Sequence, residues 1–186
     1  MPRVVFFIGT AGAGKSYISK QIAALLDADW VSSGDIVRAM PDAQEDLEAG
    51  RLYKNDQLVI EHTTKFIESS SRNIVIIDGV PRNLLQIAWV RDSIWSKMDC
   101  FIVYVDAPID RRLKRIMLRN RDKYDDSEIV LKRVSQDMAV IFDVLNGCLT
   151  TFGNGRILSL SSDKDGDVSV EVASILSFIG HGQYKN

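Results

Sequence analysis

Cysteine is scarce in this chain, and the two present, Cys100 and Cys148, stand far apart with neither in a Cys-x-x-Cys pair. That absence excludes a zinc centre of the thiolate type. Their apolar surroundings mark both as reduced thiols of a packed interior. Histidine is as rare: His62 and His181 are isolated, and His62 falls on the surface or packing side of a predicted helix rather than in a catalytic pattern. An excess of charge of one sign is also missing. The 23 Lys and Arg against 25 Asp and Glu leave a net charge of −2, with none of the global basic field of a non-specific nucleic-acid binder. No apolar run approaches the ~20 residues that cross a bilayer. The run Val4-Val5-Phe6-Phe7-Ile8 lacks the longer apolar region and cleavage site of a secretory signal. A cytoplasmic or other reducing compartment is expected, with no membrane and no nucleic acid as partner.

What is present is an ordinary globular composition, 46% hydrophobic and 26% charged over 186 residues. That length suits one domain, with room for a small inserted lobe, and buries a core without disulfide or metal. Short β-rich apolar runs occur at 4–8, 74–77, 101–105 and 157–160, with a weaker one at 30–31. Each precedes helical periodicity, over 15–26, 57–70, 83–95, 109–120, 128–145 and 168–179. Pro81 and Pro108 suit helix starts, and Gly153-Asn154-Gly155 marks a turn. Continuously apolar strands alternating with helices predict an α/β fold, a parallel sheet covered on both faces. The polar, acidic stretch 40–56 breaks the alternation and reads as a helical excursion over the site.

The strongest chemical signal is Gly9-Thr10-Ala11-Gly12-Ala13-Gly14-Lys15-Ser16, which fits GxxxxGK[ST] between a predicted strand and a predicted helix. Glycines let backbone N–H groups converge on phosphate oxygens, and the helix N-terminus adds partial positive charge. Lys15 reaches the outer phosphates and Ser16 is a ligand for Mg²⁺. A nucleoside triphosphate is the expected ligand. A second signal is Asp78-Gly79-Val80-Pro81-Arg82. Asp78 ends a buried strand and can orient Mg²⁺ through water, and Arg82 carries a fork suited to phosphate. Read on their own, Asp78 is also a plain strand-end residue and Arg82 a solvated arginine. A third is Ser33-Gly34-Asp35 with Arg38 one turn on. Asp35, before Ser33, is the expected helix cap, while Arg38 either faces an anion or solvent. The fourth is a basic cluster, Arg111, Arg112, Lys114, Arg115, Arg119, Arg121 and Lys123, followed by Arg133. Arg111, Arg115 and Arg119 share a helix face that asks for an anion, whereas Arg112 and Lys114 are expected in solvent.

Taken in order, these motifs resemble the adenylate kinases and, more broadly, the nucleoside monophosphate kinases, and the resemblance runs from Val4 to about Ile179. It implies a three-layer α/β/α P-loop fold with a five-stranded parallel sheet, a single domain over 1–186, a monophosphate-binding lobe over 34–71 and a short lid over 120–127. It implies Mg²⁺-dependent phosphoryl transfer from ATP to a nucleoside monophosphate, foremost AMP, by a monomer. Catalysis would fall to Lys15, Arg82, Arg119 and Arg133. ATP would lie on Gly9 to Tyr17 and Arg115, the monophosphate on Ser33, Gly34, Arg38, Gly79, Arg82 and Gln86, and Mg²⁺ on Ser16 and, through water, Asp78. The chain departs from the family pattern at Ser16-Tyr17, Val80, Ser33 and Tyr53-Lys54, and in a shortened stretch between Arg119 and Asp125. These departures leave room for another nucleotide or small metabolite as acceptor, or for a catalytically weak nucleotide-binding regulator.

Overall fold

The computed structural model describes residues 2–49, 51–119, 127–163 and 166–181. Five strands, β1 (Arg3–Ile8), β2 (Asp29–Ser32), β3 (Ile74–Asp78), β4 (Asp99–Asp106) and β5 (Ile157–Ser161), form one parallel sheet in the order β2-β3-β1-β4-β5. The alternation of side chains along β1 shows why it is central. Val4, Phe6 and Ile8 point to one face, where they meet α4 (Asp56–Ser69), α5 (Leu84–Trp89) and α7 (Ser127–Phe152). Val5 and Phe7 point to the other, against α1 (Lys15–Leu26) and α8 (Ser169–His181). A strand buried on both faces has to read as an unbroken apolar run, as this one does. The expected three-layer α/β/α architecture is therefore present.

Most expected elements lie within two or three residues of their observed bounds, and the exceptions have physical causes. The expected helix 128–145 runs on to Phe152. Asn146-Gly147 resembles a stop, but Val144, Cys148 and Phe152, spaced by four, are all buried in the core, which carries the helix through. Gly147 is a packing residue, since a Cβ there would stand 2.8 Å from Ile87 Cδ1 and 3.0 Å from Leu84 Cδ2. The expected helix 83–95 is two pieces, α5 and a π-helical turn over Val90–Ile94. Pro81 does not start it. Asn83 does, its side chain accepting the Gln86 N–H at 3.0 Å, while Pro81 stays in the preceding loop after a cis peptide bond.

The cap of α2 (Ser33–Arg38) is also corrected. Ser32, rather than Asp35 or Ser33, accepts the Gly34 N–H at 3.1 Å. Asp35 sits in the first turn and pairs with Arg38 at 2.5 Å. The polar stretch 40–56 contains a 3-10 turn, Pro41–Ala43, and α3 (Gln44–Glu48). Residues 120–126, the body of the expected lid, lie outside the described residues. Among those described, no helix is long and apolar enough to cross a membrane.

Two expectations about stability arise from this packing. Gly147→Leu has to displace Ile87 and Leu84, so the urea midpoint should fall by the equivalent of about 1–3 kcal/mol, and an unchanged midpoint would show that the helices have slack. Burial pushes the Cys100 and Cys148 thiols up to about 12. The unfolded thiols ionise first, so their contribution to stability is whole below the ordinary thiol range, about 8.5, and is lost as pH rises towards the folded value. Iodoacetamide at pH 9 should label the urea-unfolded chain and spare the folded one; equal labelling rates contradict the burial.

Candidate active site

The loop after β1 is shaped by contacts that exclude side chains. At Gly9, φ is 136° and a Cβ would stand 2.1 Å from the Val105 carbonyl oxygen; at Gly12, φ is 79° and a Cβ would stand 2.5 Å from the Arg112 carbonyl oxygen. Only glycine permits both. The loop thereby lies flat on β4 and α6 (Ile109–Arg119), and leads into the N-terminus of α1. The Ala13 side chain is wholly buried in the core, so Ala13 has only backbone to offer a ligand. Lys15 Nζ donates to the Thr10 carbonyl at 2.8 Å. Ser16 Oγ donates to Asp78 Oδ2.

Asp78 ends β3 and is 2% exposed, yet its Oδ1 has no hydrogen-bond partner. A buried carboxylate oxygen left unpaired beside a hydroxyl and a phosphate loop fits a hydrated Mg²⁺, which keeps most of its waters and leans on phosphate oxygens rather than on a protein cage. Ser16 and Asp78 are the residues that would hold it.

Beside the loop, α2 and the segment after β3 meet on one carbonyl: Ser33 Oγ donates to Gly79 O at 2.9 Å and Arg82 Nε donates to it at 2.8 Å. Gln86 is 2% exposed rather than a surface residue. Its Oε1 accepts the Arg82 N–H at 2.8 Å and its Nε2 donates to Asp56 Oδ1 at 2.6 Å. The backbone amide can only donate and the carboxylate can only accept, so the Gln86 amide has one orientation. Asn83 Nδ2 donates to Asp56 Oδ2 at 2.8 Å.

A single cavity of about 1110 Å³ joins the two halves. Gly12, Gly14, Lys15, Ser16, Tyr17 and Arg115 line it on one side, and Ser33, Gly34, Arg38, Asp78, Arg82 and Gln86 on the other. Gly9, Thr10 and Gly79 fall outside that lining, against an adjoining crevice of about 30 Å³. Tyr17 is exposed, its hydroxyl donating to Gly166 O at 3.2 Å. Arg115 reaches Ser162 O at 3.0 Å and Ala13 O at 3.4 Å. Arg119 ends α6 and Arg133 lies on α7; their side chains lie outside the described residues.

Sequence reasoning missed four residues here. Asp137 accepts the Ala11 N–H at 2.8 Å and Gln136 accepts the Leu52 N–H at 3.2 Å, so α7 touches both the loop and the segment after α3. The one signal for Asp137 was its place a full helical turn after Arg133. Nothing in the spacing pointed to Asp56, which meets Gln86 across 30 positions. Arg112 was expected in solvent and is buried, because the face of α6 turned to the loop carries residues 112, 115 and 116.

The comparisons with known proteins agree with this geometry. The family model described as "AAA domain" matches residues 8–132. The adenylate kinase of Prochlorococcus marinus is 31% identical over 144 residues, 71% of this chain and 75% of that protein. The chain belongs to the nucleoside monophosphate kinase family. UMP-CMP kinase 2 of Oryza sativa subsp. japonica is 30% identical over 156 residues, 78% of this chain but only 60% of that protein. UMP-CMP kinase 2 of Caenorhabditis elegans is 28% identical over 144 residues, 72% of this chain and 75% of the relative. The kinases similar to this chain thus carry names for different acceptors. For a member of this family the measure of Lys15 is phosphoryl transfer: Lys15→Ala is expected to lower turnover by about 10²–10³, the scale of a lost preorganised contact to developing charge. Turnover near wild type in a stopped-time ADP assay would remove Lys15 from the reaction.

Proposed function

We propose that this chain transfers the terminal phosphoryl group of Mg-ATP to the phosphate of a nucleoside monophosphate, with AMP the foremost acceptor (ATP + AMP = 2 ADP). The observation that carries the reading is the one cavity lined both by the phosphate loop and by Arg38, Arg82 and Gln86. It is large enough for two nucleotides, where single-ligand pockets run about 300–1,000 Å³. In this reading the loop and Lys15 hold the donor, with Arg115 beside it, and Arg38 and Arg82 hold the acceptor phosphate. Arg119 and Arg133 gather on the group in transit. Phosphoryl transfer is mostly positioning and neutralisation of charge, which this set of residues can supply without a covalent intermediate. Mg²⁺ bound at Ser16 and Asp78 would neutralise the charge of the donor phosphates.

AMP is favoured over UMP by Asp56. It lines the same cavity beside Gln86 and can only accept hydrogen bonds. A base with an exocyclic amine, adenine or cytosine, gives that carboxylate a donor, whereas the carbonyl of uracil at the same position repels it. One feature supports a different acceptor. The Asp137 carboxylate at the loop suits a hydroxyl, whose proton it could take, better than it suits a second phosphate.

Steady-state kinetics against AMP, CMP, UMP, GMP and small hydroxyl acceptors separate these readings. AMP should give the highest kcat/KM and UMP the lowest, and transfer to a hydroxyl compound alone would replace the proposal. Gln86→Leu should raise KM for AMP about tenfold while leaving KM for ATP nearly unchanged; identical kinetics would remove Gln86 from acceptor binding, both as a contact and as a brace for Arg82 and Asp56.

A further inference from the structure

Arg112 has no role in the reading above, and its surroundings are unusual. It is 4% exposed, and its Nε is buried without a hydrogen-bond partner. Its Nη1 donates to a neutral group, Thr10 Oγ1, at 2.5 Å. None of the ion pairs among the described residues includes it. A guanidinium keeps its proton in a protein. A buried charge with no ion-pair partner among the described residues carries a desolvation cost that one hydrogen bond to a hydroxyl does not offset.

The position of Arg112 shows where a counter-charge would come from. The backbone of α6 at Arg112 touches the phosphate loop so closely that a Cβ on Gly12 would collide with it. Thr10, which receives Arg112 on its hydroxyl, receives Lys15 Nζ on its carbonyl at 2.8 Å. Arg112 is absent from the lining of the large cavity. It stands behind the loop while the ligand side is in front. We propose that Arg112 is a positioning residue and a fixed counter-charge for the polyphosphate of the donor. It holds Thr10 from behind, and its charge, without an ion pair among the described residues, gains an anionic partner when a polyphosphate fills the loop. This rests on the reading that the loop takes a polyphosphate.

A packing arginine and a counter-charge differ in what their removal does. Loss of a packing residue lowers the stability of the free protein and weakens all ligands alike. Loss of an uncompensated buried charge leaves the free protein as stable or more so, and weakens ligands according to the phosphate charge they place in the loop. The size expected is on the order of tenfold, the effect of a unit charge roughly 10 Å from an anion at an effective dielectric of about 20.

The test compares the full chain with Arg112→Met and Arg112→Lys. Thermal melts are taken without ligand and with inorganic tripolyphosphate, and tripolyphosphate, ATP and AMP are titrated by calorimetry. R112M should melt at or above the wild-type temperature when free, and gain less from tripolyphosphate. It should bind tripolyphosphate and ATP on the order of tenfold more weakly, and AMP within about twofold. R112K should keep most of the wild-type affinity. Unchanged tripolyphosphate binding by R112M overturns the inference. So does an R112M that fails to fold, or that melts lower and loses ATP and AMP equally, because the residue is then structural. An R112K as weak as R112M makes the fork rather than the charge the active element, and also overturns it. If the wild type itself does not bind tripolyphosphate, the reading of the loop fails first and takes this inference with it, a result distinct from loss of the effect in the variant alone.

Discussion

Backbone N–H groups can converge on a polyphosphate only where no side chain intervenes, and that requirement sets the geometry around the end of β1. Gly9 and Gly12 bring the loop onto the carbonyls of Val105 and Arg112. The end of β4 and the second turn of α6 are therefore part of the loop's floor. An alanine at Gly9 would have to move β4 at Val105, which is fully buried. The loop's conformation and the sheet's order are for this reason one constraint.

The order β2-β3-β1-β4-β5 places β3 and β4 on either side of β1, and a parallel sheet of this kind opens its crevice at the carboxyl ends of the strands. Phe7 pairs with Asp78 in register, and the Gly79 N–H continues the ladder to Phe7 O at 2.8 Å. The carboxylate at the end of β3 thus arrives beside Ser16, one residue into the helix that leaves the loop. The next residues, Gly79 to Arg82, turn the chain across the same crevice towards α2. Ser33 and Arg82 both bind the Gly79 carbonyl, so the side of the cavity lined by Arg38, Arg82 and Gln86 is tied to the strand that carries Asp78.

What could be read from the sequence was whatever a short segment determines by itself. The glycine loop is legible because its conformation requires particular residues at fixed spacing. β1 is legible because two-sided burial leaves no polar position. Lys15 to Leu26 matches its expected bounds because left-handed residues, Gly14 and Asp27, flank it. Where a distant partner decides, local reading failed. The expected helix ended at Leu145, short of Cys148 and Phe152, whose burial in the core lies outside the local pattern, and of Gly147, against which Ile87 and Leu84 pack. Asp35 looked like a cap until Ser32 took the Gly34 N–H. Arg112 looked solvated because α6 is crowded with arginines, and only the loop's approach shows which of them faces inward. Gln86 was legible as a residue, but its fixed orientation belongs to Asp56 and Arg82.

The free site already uses its charged groups, and the kind of partner each has determines what a ligand gains. Arg82 rests on the neutral carbonyl of Gly79. Moving it to a phosphate exchanges a neutral acceptor for an anionic one, roughly doubling the strength of the bond. Arg38 rests on Asp35 in a half-exposed pair, and such pairs contribute little in water, so its release costs about 0–1 kcal/mol. Asp137 differs in sign. Its carboxylate holds the Ala11 N–H, and a phosphate nearing the loop meets a like charge there. The cations therefore favour any anion that enters, while Asp137 resists at one point of the loop. Together they favour ligands that spread charge along the loop and across to Arg38 and Arg82 over ones that crowd it at Ala11. Two phosphorylated nucleotides in one cavity distribute their charge in that way.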